Sequence, residues 1–402
     1  MPTQPPSARR SALKTLLLAA ICGTALVTGA RAADPVRGVT DTEIVIGTIT
    51  DLSGVTAIQG VNNSQAIRMA FDEANEKGGV HGRKIKYIVE DNQYQVPRAV
   101  QAMNKMLNRD NVFVMVNNGG TPMNNANMPT QLEHGVPNVF PLTAARSMYE
   151  PFNRLKFGQF ASYYDQMRAG VKYFVEQKGK KRICAMYQDT DFGRDVLAGV
   201  VEQTKAMHME LAGETAHKPT DTDFTAYLQR LREAKCDLIA TGTIVRDTTL
   251  ILSTAHKMGW EDVTFLGQFA SYDTAVAEAP GGIGEGYYAV TPSLIAYPDD
   301  PRPAVQEFSR KYKARFGIAP NFLGEMGYSA AQITLLALDR AGRDLTLDSF
   351  IKGMESIKDY HDIFGSPPLT LSATQHHGSS QAQLAVVKNG KWVAAVDHPL
   401  GY

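Results

Sequence analysis

Three loops in the first half of the chain carry groups that could bind a small anion. Each loop follows a short apolar run with the character of a β-strand, and each offers hydroxyl, amide or backbone N–H groups. In an open parallel sheet the carboxyl ends of the strands meet at one edge, where free backbone groups bind ligands. We therefore expect these loops to build one site together. They are residues 51–54, 117–122 and 142–145.

The second loop has the most specific chemistry. Thr121 is predicted to cap a helix whose first residue is Pro122, because threonine and proline favour those two positions. The free N–H groups and the positive dipole end of that helix, beside the Thr121 hydroxyl, would suit a carboxylate. Thr143 offers a second hydroxyl in the third loop. In the simpler alternative, Thr121 only caps its helix and Thr143 only closes a turn.

The second half of the chain is expected to cover the rest of a bound solute. Phe192 follows a predicted strand and is the candidate for an apolar lid, although its ring could instead pack beneath its own loop. Thr243 follows another predicted strand. Three arginines near these loop ends could each bind a carboxylate through two parallel hydrogen bonds, or could be surface charges: Arg146, Arg194 and Arg246.

Motifs of common enzyme classes do not occur in the sequence. The strings GxSxG, HExxH, GxxxxGK[ST] and CxxC are all missing. Residues 282–286 (GIGEG) imitate a dinucleotide-binding loop, but they run into a predicted strand, whereas a phosphate cradle needs a helix N-terminus. His376 and His377 are predicted to be solvated and not a metal site. We predict no catalytic residue, no cofactor and no metal.

Predicted strands and helices alternate along the chain, which favours parallel sheets covered on both faces. The hexapeptide GQFASY occurs at two predicted strand exits, residues 158–163 and 267–272. The predicted strands are 45–49, 84–90, 112–116, 139–140, 157–160, 182–187, 209–212, 238–241, 264–266 and 287–290. The predicted helices are 64–77, 97–109, 124–133, 163–177, 194–207, 224–234, 248–258, 307–316 and 327–341.

The N-terminal residues have the composition of an export signal. Basic residues precede an apolar stretch at 15–30, and Ala30 and Ala32 fit a signal-peptidase site. The apolar run is short for a transmembrane anchor. The pair Arg9-Arg10 also resembles a twin-arginine signal, so the export route stays open. We expect cleavage near Ala32, which removes residues 1–32, and a mature protein in the periplasm.

Length, charge and cysteines limit the possibilities further. A mature chain of about 370 residues is long for one compact core and favours two lobes. Lysine plus arginine and aspartate plus glutamate number 41 each, so nothing indicates a nucleic-acid or anionic-membrane partner. Cys184 and Cys236 lie beside apolar strand-like runs. We interpret them as two buried free thiols; a disulfide is the alternative if their strands are neighbours in an oxidising compartment.

Residues 43–91 carry a family resemblance. The strand EIVIGTIT, the loop DLSG, a helix closing on Gly78-Gly79 and the turn GGVHG before a second strand resemble the opening of one family. These are the periplasmic solute-binding proteins of the branched-chain amino-acid (Leu/Ile/Val) family, which feed ABC importers. The resemblance implies an α/β fold of two lobes, each a mostly parallel sheet flanked by helices, joined by three hinge crossings. It places lobe 1 at residues 41–157 and 291–341, and lobe 2 at residues 158–290 and 342–402.

The resemblance also implies a role. We expect a monomer that captures a small carboxylate-bearing solute and hands it to an inner-membrane ABC permease without enzymatic turnover. A ligand-sensing regulatory protein of the same fold and a secreted α/β enzyme are the alternatives. In the family, a Ser or Thr at the position of Thr121 and groups around residues 142–144 hold the ligand carboxylate. The predicted ligand-binding residues are Ser53, Gln59, Asn118, Thr121, Leu142, Thr143, Ala144, Phe160, Tyr163, Phe192, Thr243 and Phe269.

The chain departs from the family pattern at residues 266–270. Relatives that bind amino acids carry a glutamate about there, paired with the ligand ammonium, whereas this chain has Phe269. Burying an unpaired ammonium is costly, so either Asp191, Asp247 or Asp273 takes the role or the ligand has no ammonium. With aromatic rings predicted around the site, we favour a hydrophobic or aromatic organic acid over a branched-chain amino acid.

Overall fold

Two separate β-sheets, of five and seven strands, organise residues 35–402, which are the residues that this computed structural model describes. The predicted signal peptide at residues 1–32 lies outside them. Within residues 35–402, no helix has the length and apolarity that a membrane crossing requires. The same residues contain no cluster of three or more His, Cys, Asp or Glu side chains placed to hold a metal ion.

The first sheet is entirely parallel, with strand order β2-β1-β3-β4-β5. Its strands are β1 Glu43–Thr50, β2 Lys84–Asp91, β3 Val114–Val116, β4 Asn138–Val139 and β5 Lys156–Phe157. The helices between them are α1 Ala57–Glu76, α2 Val96–Asn108 and α3 Thr121–Glu133. Apolar side chains such as Ile44, Ile46 and Val114 are fully buried between the helix layers. Burial on both faces of a parallel sheet explains the nearly continuous apolar runs of its strands.

The second sheet has strand order β12-β11-β10-β9-β8-β6-β7, parallel from β6 to β10 and antiparallel at β11 and β12. Its strands are β6 Ile183–Gln188, β7 Gly213–His217, β8 Leu238–Gly242, β9 Thr264–Gly267, β10 Tyr288–Thr291, β11 Gln383–Lys388 and β12 Lys391–Ala394. The helices are α4 Tyr163–Lys178, α5 Asp191–Ala206, α6 Thr225–Glu233, α7 Val245–Lys257 and α8 Thr274–Ala277. The prediction of an α/β fold with two mostly parallel sheets flanked by helices is confirmed.

Three later helices return to the first sheet. They are α9 Pro303–Phe316, α10 Phe322–Ala341 and α11 Leu347–Glu355. Helix α10 packs along α1, and Phe350 and Leu371 belong to the same core cluster as Ile44. The prediction that the whole of 342–402 joins the second lobe is therefore at odds with this packing. The reason is that α11 buries its apolar face on α10, so closely that a Cβ at Gly353 would lie 2.3 Å from the Ala337 carbonyl oxygen.

Within residues 35–402, the chain crosses between the two sheets three times: after β5, after β10 and before β11. The first and third crossings run side by side, because Gly158 N donates to the His376 carbonyl (2.9 Å) and Gly378 N donates to the Gly158 carbonyl (2.9 Å). His376 is buried there, stacked on Phe157 with ring centres 4.0 Å apart. The prediction that His376 is solvated is wrong, because its ring is buried where these two crossings run side by side.

The structure also corrects three local predictions. Cys184 and Cys236 form a disulfide with Cα atoms 5.8 Å apart, so the interpretation as two free thiols is wrong. The cysteines meet because β6 and β8 are neighbours in the second sheet. Strand β7 occupies 213–217 and not 209–212, since its inward-facing residues include the polar Thr215 and His217. Helix α1 begins at Ala57, well before the predicted start at Ser64.

Candidate functional site

A small cavity of about 40 Å³ lies between the carboxyl ends of the two sheets. It is closed enough to hold little more than water, so a larger solute requires its two walls to move apart. Of the side chains that line it, only Asp51 carries a carboxyl group, and none is a lysine or arginine. The lining residues are Thr50, Asp51, Thr56, Gln59, Gly60, Asn92, Tyr94, Gly119, Gly120, Thr121, Leu142, Tyr163, Phe192, Ile244, Phe269, Ala270 and Leu323.

The N-terminus of α3 forms one end of the cavity. Gly120, with φ of 84°, occupies the cap position, and Thr121 and Pro122 are the first two helical residues. The prediction that Thr121 itself caps the helix is off by one residue, because the left-handed backbone that turns the chain into α3 suits glycine. A side chain at Gly119 would also meet the Thr50 hydroxyl at 2.6 Å. The two glycines therefore let α3 begin close against β1.

The shift by one residue frees the Thr121 hydroxyl for a partner other than its own helix. Its Oγ1 lies 2.6 Å from Oγ1 of Thr143, which comes from the loop after β4. The buried Tyr163 phenol lines the cavity together with Thr121. Burial raises the pKa of Tyr163 far above its usual value, so this phenol stays protonated and can donate. The hydroxyls of Thr121 and Thr143 thus stand as a pair at the positive end of the α3 dipole.

Asp51 closes its own loop. Its two carboxylate oxygens accept hydrogen bonds from Ser53 N (3.1 Å), Gly54 N (2.6 Å) and both the backbone N and the hydroxyl of Thr56 (2.8 Å each). An ionised carboxylate has about four acceptor sites, so this loop uses all of them. Asp51 therefore fixes the entry into α1 and has no lone pair left for a ligand.

Asn92 and Tyr94 follow β2 and line the cavity on the side of β1 that is opposite to the start of α3. The Asn92 side chain is fully buried, and its Nδ2 has no hydrogen-bond partner among residues 35–402. Gln93 and Tyr94 both have positive φ, 50° and 54°, a strained backbone that turns the Tyr94 ring towards the cavity. Its hydroxyl donates to Oε1 of Gln188 at 3.3 Å. Burial raises the pKa of Tyr94 well above its usual range, so it too remains a neutral phenol.

The apolar wall of the cavity consists of aromatic rings on the side of the second sheet. Tyr163 and Phe192 meet edge to face with ring centres 5.0 Å apart, and Phe269 lies 6.4 Å from Tyr163. Phe160 lines a different pocket and supports Phe269 from behind at 4.5 Å. Phe160 and Phe269 are equivalent residues of the two GQFASY copies, so the repeat brings its own two rings together at the site.

Polar contacts join the two walls around the cavity. Gln59 Nε2 donates to the Ala270 carbonyl (3.0 Å), and Asn125 Nδ2 donates to Asp191 Oδ2 (2.8 Å). Arg146 donates from Nε to Oδ1 of Asp195 at 2.9 Å. Burial raises the pKa of the Asp195 carboxyl, and the nearby Arg146 guanidinium opposes that rise. These contacts hold the first-sheet side against the second-sheet side.

Six of the twelve predicted binding residues line the cavity: Gln59, Thr121, Leu142, Tyr163, Phe192 and Phe269. Three others stand directly behind the lining. Thr143 supports Thr121, the Ala144 carbonyl accepts from Tyr163 N at 2.8 Å, and Phe160 supports Phe269. These nine residues form one group around the cavity.

The structure places the other three predicted residues away from the cavity. Ser53 is exposed, and its hydroxyl donates to Asp91 at 2.6 Å. The Asn118 amide is taken up inside the first sheet, where its Oδ1 accepts from Ile49 N at 2.9 Å. Thr243 lies 2.7 Å from the Thr248 hydroxyl at the start of α7. Each of these side chains forms a hydrogen bond with another protein group, and none of them lines the cavity.

The three acids considered as ammonium partners also lie outside the cavity lining. Asp191 accepts from Asn125, and Asp273 caps α8 and accepts from Asn321 at 2.8 Å. Asp247 is fully buried between Arg246 (2.8 Å) and His217 (3.2 Å). The arginines that were candidates for a carboxylate pair instead with acids: Arg146 with Asp195, Arg194 with Asp189 and Arg246 with Asp247.

Several lining residues escaped the sequence analysis. Asn92 and Tyr94 follow β2, so the rule that ligands bind at the carboxyl ends of strands could have found them. Gly60 lies in the part of α1 that the prediction missed. Ile244 and Ala270 are apolar members of loops in which the predicted binding residues, Thr243 and Phe269, are polar or aromatic. Leu323 reaches the cavity from the start of α10, and no local sequence signal marks it.

The chain is similar to proteins of a known family. A family model described as "Periplasmic binding protein" matches residues 43–391. The chain is 24% identical over 318 residues to a protein called "Leu/Ile/Val-binding protein homolog 7" from Brucella abortus (strain 2308), which covers 74% of this chain and 77% of that protein.

Solved structures share the fold. A branched-chain amino acid ABC transporter protein from Thermus thermophilus with bound valine superposes with a TM-score of 0.82 at 17% identity, covering 90% of this chain and 98% of that chain. An ABC transporter solute-binding protein from R. palustris in complex with benzoate superposes with a TM-score of 0.77 at 18% identity, covering 89% and 96%. Proteins of this fold therefore include structures with bound amino acids and with bound aromatic acids.

Proposed function

The chain belongs to the family of periplasmic binding proteins, and from that premise we propose that it is a periplasmic receptor for a small carboxylic acid without an amine. It would capture this solute between its two lobes and deliver it, as a monomer, to an inner-membrane ABC permease without converting it. The observation that carries the proposal is the hydroxyl pair of Thr121 and Thr143, 2.6 Å apart at the N-terminus of α3 and beside the cavity.

The carboxylate would bind at that end. Backbone N–H groups of the first helical turn, the positive end of the α3 dipole and the hydroxyl pair of Thr121 and Thr143 together favour a negative charge. Hydrogen bonds to an ionised oxygen are shorter and roughly twice as strong as those between neutral groups. The absence of a lining lysine or arginine from the described cavity leaves neutral donors as the only source of this attraction.

The case against an amine rests on the single acid of the lining. An ammonium inside a closed cavity needs an acceptor with negative charge, because leaving it unpaired is costly. Asp51 already accepts four hydrogen bonds from its own loop. Gln268, next to Phe269, is buried and donates to the Thr243 carbonyl at 3.0 Å. No acid of the described lining therefore has an acceptor site left to hydrogen-bond an amine.

An aromatic solute fits the rest of the lining. Tyr94 from the first-sheet side and Tyr163, Phe192 and Phe269 from the second-sheet side surround the space beyond Thr121. Aromatic pairs in tilted or edge-to-face geometry contribute about 1 kcal/mol beyond the area they bury. Several such contacts would select a ring over an aliphatic chain of similar size.

Capture would proceed by a hinge movement at the three crossings. We propose that lobe 1 comprises residues 35–157 and 296–371, and that lobe 2 comprises residues 158–295 and 372–402. This division follows the packing of α9 to α11 on the first sheet. The contacts that join the two walls would then stabilise the closed state around the ligand, and binding would shift the population towards it.

Calorimetry with aromatic acids, leucine and benzamide tests the ligand class. We expect benzoate or a phenylpropanoate-type acid to bind, and leucine and benzamide to bind at least about 30-fold more weakly, a difference of about 2 kcal/mol. Benzamide keeps the ring and removes the negative charge, so it separates carboxylate recognition from ring recognition. Tight leucine binding without a response to the aromatic acids would instead identify an amino-acid receptor, and turnover of a bound acid would contradict a non-enzymatic role.

Weakening the Arg146–Asp195 contact tests closure. The side chains are 34% and 12% exposed, so Asp195→Asn should cost about 1 kcal/mol of closed-state stability and weaken ligand binding roughly fivefold. Asp300→Asn is the matched control, because Asp300 pairs with Arg302 at similar exposure, 14% and 40%, within one segment. We expect isothermal calorimetry to show no change for the control. Equal affinities for wild type and Asp195→Asn would argue against this contact as a closure latch.

A further inference from the structure

Asn92 is a buried amide at the end of the cavity opposite α3. It follows β2, and its backbone N donates to the Thr50 carbonyl at 2.9 Å. Its side chain is fully buried and lines the cavity. Its Nδ2 has no hydrogen-bond partner among residues 35–402. A buried N–H group without a partner destabilises a folded protein, so such a group needs an explanation.

The orientation of this amide follows from its neighbour. Asn92 Oδ1 accepts a hydrogen bond from Tyr94 N at 2.8 Å. Only the oxygen of an amide can accept from a backbone N–H, so the other terminal atom is the NH₂ group. The two N–H donors of Asn92 are therefore the groups left for a partner inside the cavity.

Asn92 and the α3 N-terminus lie on opposite sides of β1. Asn92 pairs with Thr50 on one side, and Gly119 N donates to the Ile49 carbonyl on the other side at 2.8 Å. Neighbouring strands lie about 4.8 Å apart, so on the order of 10 Å separates the two positions. This is comparable to a benzene ring with polar substituents at opposite ends and a hydrogen bond at each end.

The charge of Asp51 restricts what Asn92 can bind. Asp51 follows β1, between the two ends, and also lines the cavity. A second anionic group on the ligand would be repelled by this carboxylate in a site with little water. A neutral hydroxyl or carbonyl oxygen accepts from Asn92 without that repulsion.

We propose that Asn92 donates a hydrogen bond to a neutral oxygen at the far end of the ligand. The preferred solute is then an aromatic carboxylic acid that carries a hydroxyl or carbonyl oxygen opposite its carboxylate. This inference rests on the proposed function, because the carboxylate must occupy the α3 end for the second oxygen to reach Asn92.

Benzoate and 4-hydroxybenzoate provide the test, since they differ only in that oxygen. We expect wild type to bind 4-hydroxybenzoate at least tenfold more tightly than benzoate by calorimetry. In Asn92→Leu, which removes the donor at similar volume, the ratio of the two affinities should fall to within twofold of one. Benzoate binding by the variant shows that the site still folds. Asn92→Asp, which keeps the acceptor for Tyr94 N and replaces the donor, should also lose the preference.

Asn127→Leu is the matched control. Asn127 is another buried asparagine with an amide atom that lacks a partner among residues 35–402, and it does not line the cavity. Its variant should keep the wild-type ratio. Equal binding of the two probes by wild type, or a ratio that survives in Asn92→Leu, would overturn this inference and leave the proposed function intact. Failure of wild type to bind either probe would overturn the proposed function and this inference with it.

Discussion

Replacing Thr121 and Thr143 together by valine should weaken binding of an aromatic carboxylate by about 100-fold or more. A hydrogen bond to a charged group contributes roughly 1.5–3 kcal/mol, and the two hydroxyls share one contact, so their losses will not add fully. A combined loss of about 3 kcal/mol corresponds to somewhat more than 100-fold in Kd. Valine keeps the shape of threonine, so calorimetry of the double variant reports on the hydroxyls alone.

The chain offers a matched control for this variant. Thr243 and Thr248 form another buried hydroxyl pair, 2.7 Å apart at the start of α7, and neither residue lines the cavity. Removing both partners of a buried hydrogen bond is nearly neutral for stability, so both double variants should unfold close to wild type. We expect Thr243→Val with Thr248→Val to bind normally. Loss of affinity in this control, or wild-type affinity in the Thr121 and Thr143 variant, would place the carboxylate elsewhere.

The sequence predicts that Thr121 lies at a helix start beside the cavity, where we propose that a carboxylate binds, because two local rules apply to the same segment. Apolar runs mark β3 and β4, and ligands bind where parallel strands end. Thr121 and Pro122 then mark a helix start. The predicted cap is off by one residue, because Gly120, with its positive φ, occupies the cap position. Phe192 and Phe269 follow β6 and β9 by the same rule, and the lining contains both.

The start of α1 was not predictable from periodicity. Gln59, Asn62 and Asn63 are buried although they are polar, because each finds a partner across the fold: Asn63 Nδ2, for example, donates to the Leu323 carbonyl at 2.9 Å. An amphipathic pattern cannot reveal a helix whose buried face is polar. The same physical cause hid strand β7, where the polar Thr215 and His217 are buried.

Long-range packing set the other limits. The disulfide depends on β6 and β8 being neighbours, and sequence order alone does not determine strand order. The return of residues 345–371 to the first sheet depends on how closely α11 fits against α10 at Gly353. Resemblance to a family predicted the two-sheet architecture but assigned this segment to the second lobe. Tertiary contacts between distant segments decided each of these points.

Gly60→Ala should damage both folding and binding. Gly60 lies in the first turn of α1 and lines the cavity. A Cβ there would lie 2.0 Å from the Asp51 carbonyl oxygen and 2.8 Å from the Thr50 hydroxyl oxygen. Because backbone cannot rotate away as a side chain can, α1 or the β1 loop has to move, at a cost of roughly 3 kcal/mol. The same movement displaces Thr50 and Asp51, so ligand affinity should fall by tenfold or more in protein that remains folded.

Gly324→Ala separates this clash from the general effect of alanine in a helix. Gly324 is in the first turn of α10, and a Cβ there would meet the Asn62 carbonyl oxygen at 3.5 Å, an ordinary contact. Alanine favours helix over glycine by up to about 1 kcal/mol, so this control should unfold at the same or a slightly higher denaturant concentration and bind normally. The two substitutions are chemically identical, and opposite signs in their unfolding midpoints would show that the close approach of α1 to the β1 loop shapes the cavity. A Gly60→Ala protein with wild-type midpoint and affinity would show that this wall tolerates displacement.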